Sequence, residues 1–449
     1  MNIAADKASH IMSNNQAGYS THAALANEEQ EKWNNLVSWI TENGGFVDPR
    51  GVLATANESG VRGMFATEDI AKDTVLARIP PAVRLQDGPD ITNWVARGDL
   101  ATTAGLLSLA REHHKGTGSH FYPWLNIVPA FEDYLQFHPQ AVLLAADAEG
   151  RGRRVAEWNA IIPGFGNTIF NRVQKFDKFI ASCIKFNAKD ELFQDHEVFS
   201  TRNMQFVDLT RQSRWWSSLR EYVPYADMFN HNAANHHVEL LQEGDDWLVV
   251  AVADLQAGEQ IFHRYGVHDH EAMFAGWGFC EWNREIRFKR MTIDISGKDS
   301  VMGHAISYMV AKQEEELGKQ GGSHYVRATG LSPSLWKLLR TSSLDYRDLS
   351  SLLAKRPEDP TGLLDKEPVS IDNELLAIGK GIQLSKQVRA KFLKSAEEYK
   401  EIAGNSKDYV IAMLARIAVE DIELLESFEK SLRKIWTDKL EKELEKYEN

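Results

Sequence analysis

The sequence predicts an α+β fold in which β-strands come from two separated segments, roughly residues 45–95 and 198–285, around a helical insert, with an all-helical region after them. Three observations carry this. Residues 51–80 alternate short apolar runs with turns at Gly60, Gly63 and Lys72-Asp73, the spacing of antiparallel hairpins. Two further strand-like runs, Val238–Leu241 and Trp247–Val252, flank the turn sequence Glu243-Gly244-Asp245-Asp246. Between these segments and beyond Arg287, the apolar residues recur at helical spacing.

Taken in order, residues 1–29 are polar and rich in small side chains and read as a disordered tail. Residues 30–44 place Trp33, Leu36, Val37 and Ile40 on one helical face before a Gly-Gly stop. The strands of residues 51–80 close at Pro80-Pro81. A helical insert at about 92–197 shows apolar residues at Leu106, Leu107, Leu109 and Ala110, then at Phe176, Phe179, Ile180, Cys183 and Ile184. Residues 30–289 thus form one domain interrupted by the insert, and 290–449 a separate helical one. In the latter, Ser332-Pro333 and Ser370 read as helix starts, and the last helix repeats apolar residues from Val410 to Leu444.

Bulk properties narrow the function. A chain of 449 residues exceeds one hydrophobic core, so two domains are expected. A formal charge of −13 argues against gripping nucleic acid by broad phosphate neutralisation and suits a protein partner. No apolar run reaches the length of a membrane span, and no secretory signal is expected. Only Cys183 and Cys280 are present, which points to a reducing compartment, the cytoplasm with access to the nucleus, and leaves no thiolate zinc cluster.

The chemistry-bearing elements stand in a fixed order. First comes Ser59-Gly60-Val61-Arg62-Gly63-Met64-Phe65-Ala66, glycines between strand-like segments where backbone can approach a ligand closely. Read alone it is a hairpin turn, and no helix follows it as a dinucleotide fingerprint requires. Phe199-Ser200-Thr201-Arg202 comes next, followed by Pro224-Tyr225-Ala226-Asp227-Met228-Phe229-Asn230-His231. Gly258-Glu259-Gln260-Ile261 then leads to Tyr265-Gly266, and Glu271–Trp277 to Gly278-Phe279. His236 and His237 lack a carboxylate or thiolate at metal-site spacing, so no metal is expected.

This ordered set resembles SET-domain protein methyltransferases, and more narrowly the branch typified by the Rubisco large-subunit lysine methyltransferase. The resemblance implies S-adenosyl-L-methionine as cofactor and a protein side-chain nitrogen, most readily lysine, as methyl acceptor. It implies that Gly60, Val61, Arg62, Gly63 and Met64 line the methionine part of the cofactor and that Arg202 meets its carboxylate. The Asn230 side chain and His231 backbone would hold its amino and adenine ends. Tyr265 would be catalytic and would also touch the cofactor, its hydroxyl aimed at the transferring methyl. The family also threads the end of this domain through a loop to bring the tyrosine to the Asn-His pair, and its C-terminal helical domain helps hold the protein substrate.

Two positions stay open in the sequence. Asp227 would line the substrate channel or brace the turn, and Trp277 would wall the channel, stack on a cation or simply pack. Lysine-specific relatives place a second tyrosine where Trp277 stands, and the residues after Tyr265 are altered to His268-Asp269-His270. A histidine acceptor, as in the related actin-histidine branch, and a non-catalytic interaction module are therefore the competing expectations.

Overall fold

The computed structural model describes residues 22–57, 60–86, 108–109, 111–128, 137–186, 221–266, 268–282, 287–291, 301–319, 324–328, 330–362 and 364–448. They fall into two compact units. One is drawn from the chain up to Glu157, Gly164–Ile286 and Lys407–Val410; the other from Trp158–Pro163, Arg287–Ser406 and the chain from Ile411 onward.

The strands of the first unit are β1 (His22–Ala23), β2 (Phe46–Val47), β3 (Gly51–Ala56), β4 (Arg62–Ala66), β5 (Val75–Ile79), β6 (Leu85–Gln86), β7 (Glu221–Tyr222), β8 (Asn230–His231), β9 (Val238–Glu243), β10 (Asp246–Ala251) and β11 (Gln260–His263). Nine of them link edge to edge in the order β1-β3-β4-β11-β9-β10-β5-β2, with β8 also paired to β11, while β6 and β7 pair separately. Small hairpin sheets are what the sequence leads one to expect. Here β11 joins them, because it pairs antiparallel with β4 on one side and parallel with β8 and β9 on the other. Two of the expected hairpins form, β3 with β4 and β9 with β10, but Gly63 lies inside β4 rather than in a turn. The strands flanking Lys72-Asp73 do not pair with each other, because β5 lies between β10 and β2. Gly60, in the connection from β3 to β4, has φ +64°, a left-handed conformation that disfavours any side chain with a Cβ.

The core of this unit packs the helix Asn27–Glu42 against the sheet, burying Trp33, Leu36, Trp39 and Ile40 of the helix beside Met64, Leu76, Ile79 and Ile261. The helix begins earlier than expected. Its N-cap, Ala26, has no side chain to make the capping hydrogen bond, so the sequence carries no start signal, and Glu28 and Glu29 instead complement the positive end of the helix. Within the expected tail, residues 22–23 are strand and 27–29 helix, whereas 1–21 lie outside the described residues. The insert holds the helices Tyr122–Leu125, Pro139–Ala145, Ala148–Ile161 and Phe165–Phe186.

The second unit contains the helices Val301–Lys319, Pro333–Ser342, Tyr346–Lys355, Ile371–Arg389, Ala396–Asn405 and most of Tyr409–Glu448. It is not all-helical: β12 (Lys289–Arg290), β13 (Tyr325–Arg327) and β14 (Gly330–Leu331) form a small antiparallel sheet. Strands of two or three residues are too short to show a period of two in sequence. The expected helix starts are present, with Ser332 accepting from the Leu335 amide and Ser370 from the Asn373 amide.

Within this helical core, Arg340 and Glu374 form a buried bidentate pair, with Nε to Oε2 at 2.6 Å and Nη2 to Oε1 at 2.9 Å. Burial raises the Glu374 carboxyl, but the hydrogen bonds and charges of Arg340 and Lys439 together more than reverse this and hold it below the usual carboxylate range. Its folded value lies below the unfolded one, so this contribution is present above the unfolded value and is lost as pH falls through the folded value. Glu374→Ala would strand Arg340 in the core and should cost about 3–5 kcal/mol. Joint replacement by Met at 340 and Leu at 374 should recover most of it. Chemical denaturation of the two variants measures both effects.

Candidate active site

Strand β11 stands between the two elements that the site needs. On one side Gln260 and Ile261 pair with Phe65 and Met64 of β4; on the other Phe262 and His263 pair in parallel with Asn230 and His231 of β8. Residues separated by some 170 positions in sequence therefore meet: the Asn230 side-chain amide donates to the Arg62 carbonyl at 2.9 Å. Gly63 lies under this contact. A Cβ built there would sit 2.3 Å from Gln260 Nε2 and 2.5 Å from Asn230 Nδ2, so the close approach of the three residues depends on glycine.

Around this crossing the other residues of the glycine-containing turn take different places. The Val61 carbonyl is used inside the hairpin, accepting from the Ala56 amide at 2.9 Å. The Met64 side chain is wholly within the core, which leaves only its backbone for a ligand. The Arg62 guanidinium is 3.8 Å from Glu29. Ser59 and Arg202 lie outside the described residues.

Tyr265 follows β11 and is held at both ends. Its backbone N–H donates to His231 Nδ1 at 2.8 Å, and its hydroxyl donates to the Phe229 carbonyl at 2.7 Å. Tyr265 is 8% exposed and belongs to an apolar cluster with Met273, Trp277 and Phe279. The Trp277 ring is centred 5.8 Å from the Tyr265 ring and 4.9 Å from that of His268. Trp277 thus walls the tyrosine by direct ring contact. Burial pushes His263 down to about 3, so it is uncharged beside His231.

Asp227 is braced by Trp124, a contact that the sequence does not signal. The Trp124 indole N–H donates to Asp227 Oδ2 at 2.7 Å, while Oδ1 is out of water and has no hydrogen-bond partner among the described residues. The turn carrying it includes Tyr225 at φ +75°, a strained value for a non-glycine residue. Burial raises the Asp227 carboxyl to about 6, the Trp124 hydrogen bond opposing it. A carboxyl raised above its unfolded value favours the folded state while protonated, and that advantage is lost as pH rises from the unfolded value of about 3.8 through about 6. Asp227→Asn keeps an oxygen for Trp124 and removes the charge. It should stabilise the protein more at pH 8 than at pH 5, by roughly 1 kcal/mol, as read by denaturation at the two pH values.

No group of three or more His, Cys, Asp or Glu side chains gathers to hold a metal among the described residues. His237 Nδ1 instead accepts from the Phe262 amide, and His236 Nε2 is 3.5 Å from Glu239. No helix among the described residues is long and apolar enough to cross a membrane.

Comparison with known proteins agrees with this geometry. Residues 61–266 match the family model of the SET domain. Ribosomal lysine N-methyltransferase 4 of Saccharomyces cerevisiae is 28% identical over 119 residues, 25% of this chain and 24% of its own. Ribosomal lysine N-methyltransferase set11 of Schizosaccharomyces pombe is 25% identical over 250 residues, 54% of this chain and 60% of its own. The match spans less than two thirds of each relative. A solved structure of Rubisco LSMT bound to AdoMet superposes with a TM-score of 0.65 at 18% identity, covering 92% of this chain and 93% of that one. A second, the SET domain of LSMT bound to lysine and AdoHcy, gives 0.64 over 91% and 92%. The chain carries a SET domain, and its fold is that of Rubisco LSMT.

Proposed function

We propose that the chain is an S-adenosyl-L-methionine-dependent methyltransferase that acts on a lysine side chain of a protein. The observation that carries this is the pairing of β11 with β4 and β8, which sets Gly63 against Asn230 and leaves the Tyr265 hydroxyl tied to the carbonyl of Phe229, the residue before Asn230. These residues fit the cofactor: glycine leaves backbone bare where a Cβ would collide with Asn230, and the Asn230 amide stands beside it. When bound, S-adenosyl-L-methionine supplies an electrophilic methyl group on a sulfonium. Gly60, Val61, Gly63 and Met64 would present backbone to it, with Asn230, His231 and Arg202 holding its polar ends.

The chain's own task is to bind and aim a neutral amine, since lysine loses its proton near ~10.4 in water. Tyr265 commits its hydroxyl hydrogen to the Phe229 carbonyl. Its oxygen therefore keeps lone pairs to accept an amine N–H, which orients the nitrogen without offering a rival nucleophile. Trp277 and Phe279 beside it exclude water and give a π face to a methylated ammonium. Lysine is favoured over histidine because the yeast relatives carry the name lysine N-methyltransferase. The charge of −13 supports a protein substrate rather than nucleic acid, and the two cysteines support a cytoplasmic setting.

Calorimetric titration with S-adenosylhomocysteine tests the cofactor half of the reading. Saturable binding that weakens in Asn230→Ala is expected; absence of any binding to the folded protein would contradict it.

A further inference from the structure

The site contains a buried acid that the methyl-transfer reading does not use. Glu281 follows the Gly278-Phe279 turn, is 9% exposed, and accepts from the Ala233 backbone amide at 3.1 Å. Its Oε2 lies 3.3 Å from His231 Nε2, at an angle too poor for an aligned hydrogen bond. The His231 side chain is itself wholly buried. The opposite nitrogen, Nδ1, accepts the Tyr265 N–H at 2.8 Å and so carries no hydrogen. The ring hydrogen is therefore on Nε2, facing Glu281.

We propose that Glu281 is a positioning residue for the transfer: it fixes His231 in the Nε2–H form, so that Nδ1 stays an acceptor and holds the backbone of Tyr265. This deepens, and rests on, the methyltransferase reading above. A ring with the hydrogen on Nδ1 would set two N–H groups against each other at the Tyr265 amide. The tyrosine would then move while its hydroxyl remained tied to the Phe229 carbonyl, misaiming the oxygen. Because Phe229 immediately precedes Asn230-His231, both anchors of Tyr265 lie on one short run of chain that Glu281 braces from the side.

The test combines a spectroscopic readout with kinetics. Nitrogen-15 spectra of histidine-labelled wild-type protein should show His231 in the Nε2–H form, and a signal from the Nδ1–H form would overturn the proposal without any variant. Glu281→Gln keeps an oxygen acceptor and should retain the tautomer, with kcat within about fivefold. Glu281→Leu should release the tautomer and lower kcat about 100-fold, the effect of misplacing a reacting group by about 1 Å, with cofactor affinity and KM within twofold. Wild-type kcat and an unchanged tautomer in Glu281→Leu would overturn the proposal. Failure of the wild type itself to transfer methyl would instead overturn the activity it rests on, while the tautomer spectra would still decide whether Glu281 sets the ring.

Discussion

Tyr265→Phe is expected to reduce methyl transfer by on the order of 10²–10³-fold while the protein still folds and binds cofactor. The ring, and with it the contacts to Trp277, Phe279 and His231, is retained. What disappears is the hydroxyl and its bond to the Phe229 carbonyl, a loss of about 0.5–1.5 kcal/mol of folding stability. The backbone amide still donates to His231, so the chain stays in place. The rate falls because the amine loses the oxygen that orients it. Single-turnover transfer with labelled cofactor, set beside calorimetric binding, separates the two effects, and a rate equal to wild type would remove Tyr265 from the chemistry.

Gly63→Ala should act on binding rather than on the chemical step. The new Cβ would meet Gln260 Nε2 at 2.3 Å and Asn230 Nδ2 at 2.5 Å, both closer than such atoms approach, so at least these side chains must move. Gln260 has a long side chain and can turn away. Asn230 is short and sits on β8, so displacing its amide breaks the bond to the Arg62 carbonyl and withdraws the group proposed to hold the cofactor. A loss of affinity of about 10–100-fold is expected, equivalent to about 1.4–2.8 kcal/mol. Gly152→Ala, where nothing lies within 4 Å of the added carbon, serves as the control and should leave affinity unchanged.

Much of this site was legible in the sequence because its elements are local. Asn230-His231, the turn at Gly258 into β11, and the glycines at 60 and 63 each announce a turn or strand end within a few residues. The hairpins of β3 with β4 and of β9 with β10 follow from alternation and turn residues in the same way. What was not legible is pairing at long range. Nothing in the residues around Trp124 or Glu281 signals that one donates to Asp227 and the other faces His231, because those contacts span 103 residues in the first case and join separate turns in the second. The earlier start of the first helix escaped notice because Ala26 lacks a capping side chain. The interleaving of Trp158–Pro163 with the second unit, and of Lys407–Val410 with the first, likewise has no compositional mark.

In the proposed reaction Tyr265 directs methyl from S-adenosyl-L-methionine to a protein lysine. The most direct measurement incubates wild-type and Tyr265→Phe proteins with labelled cofactor and a cell lysate, then maps the modified residue by mass spectrometry. Label on a lysine is expected with wild type, and about a hundredth as much or less with the variant. Label that persists undiminished in Tyr265→Phe, or that falls on histidine alone, would contradict it.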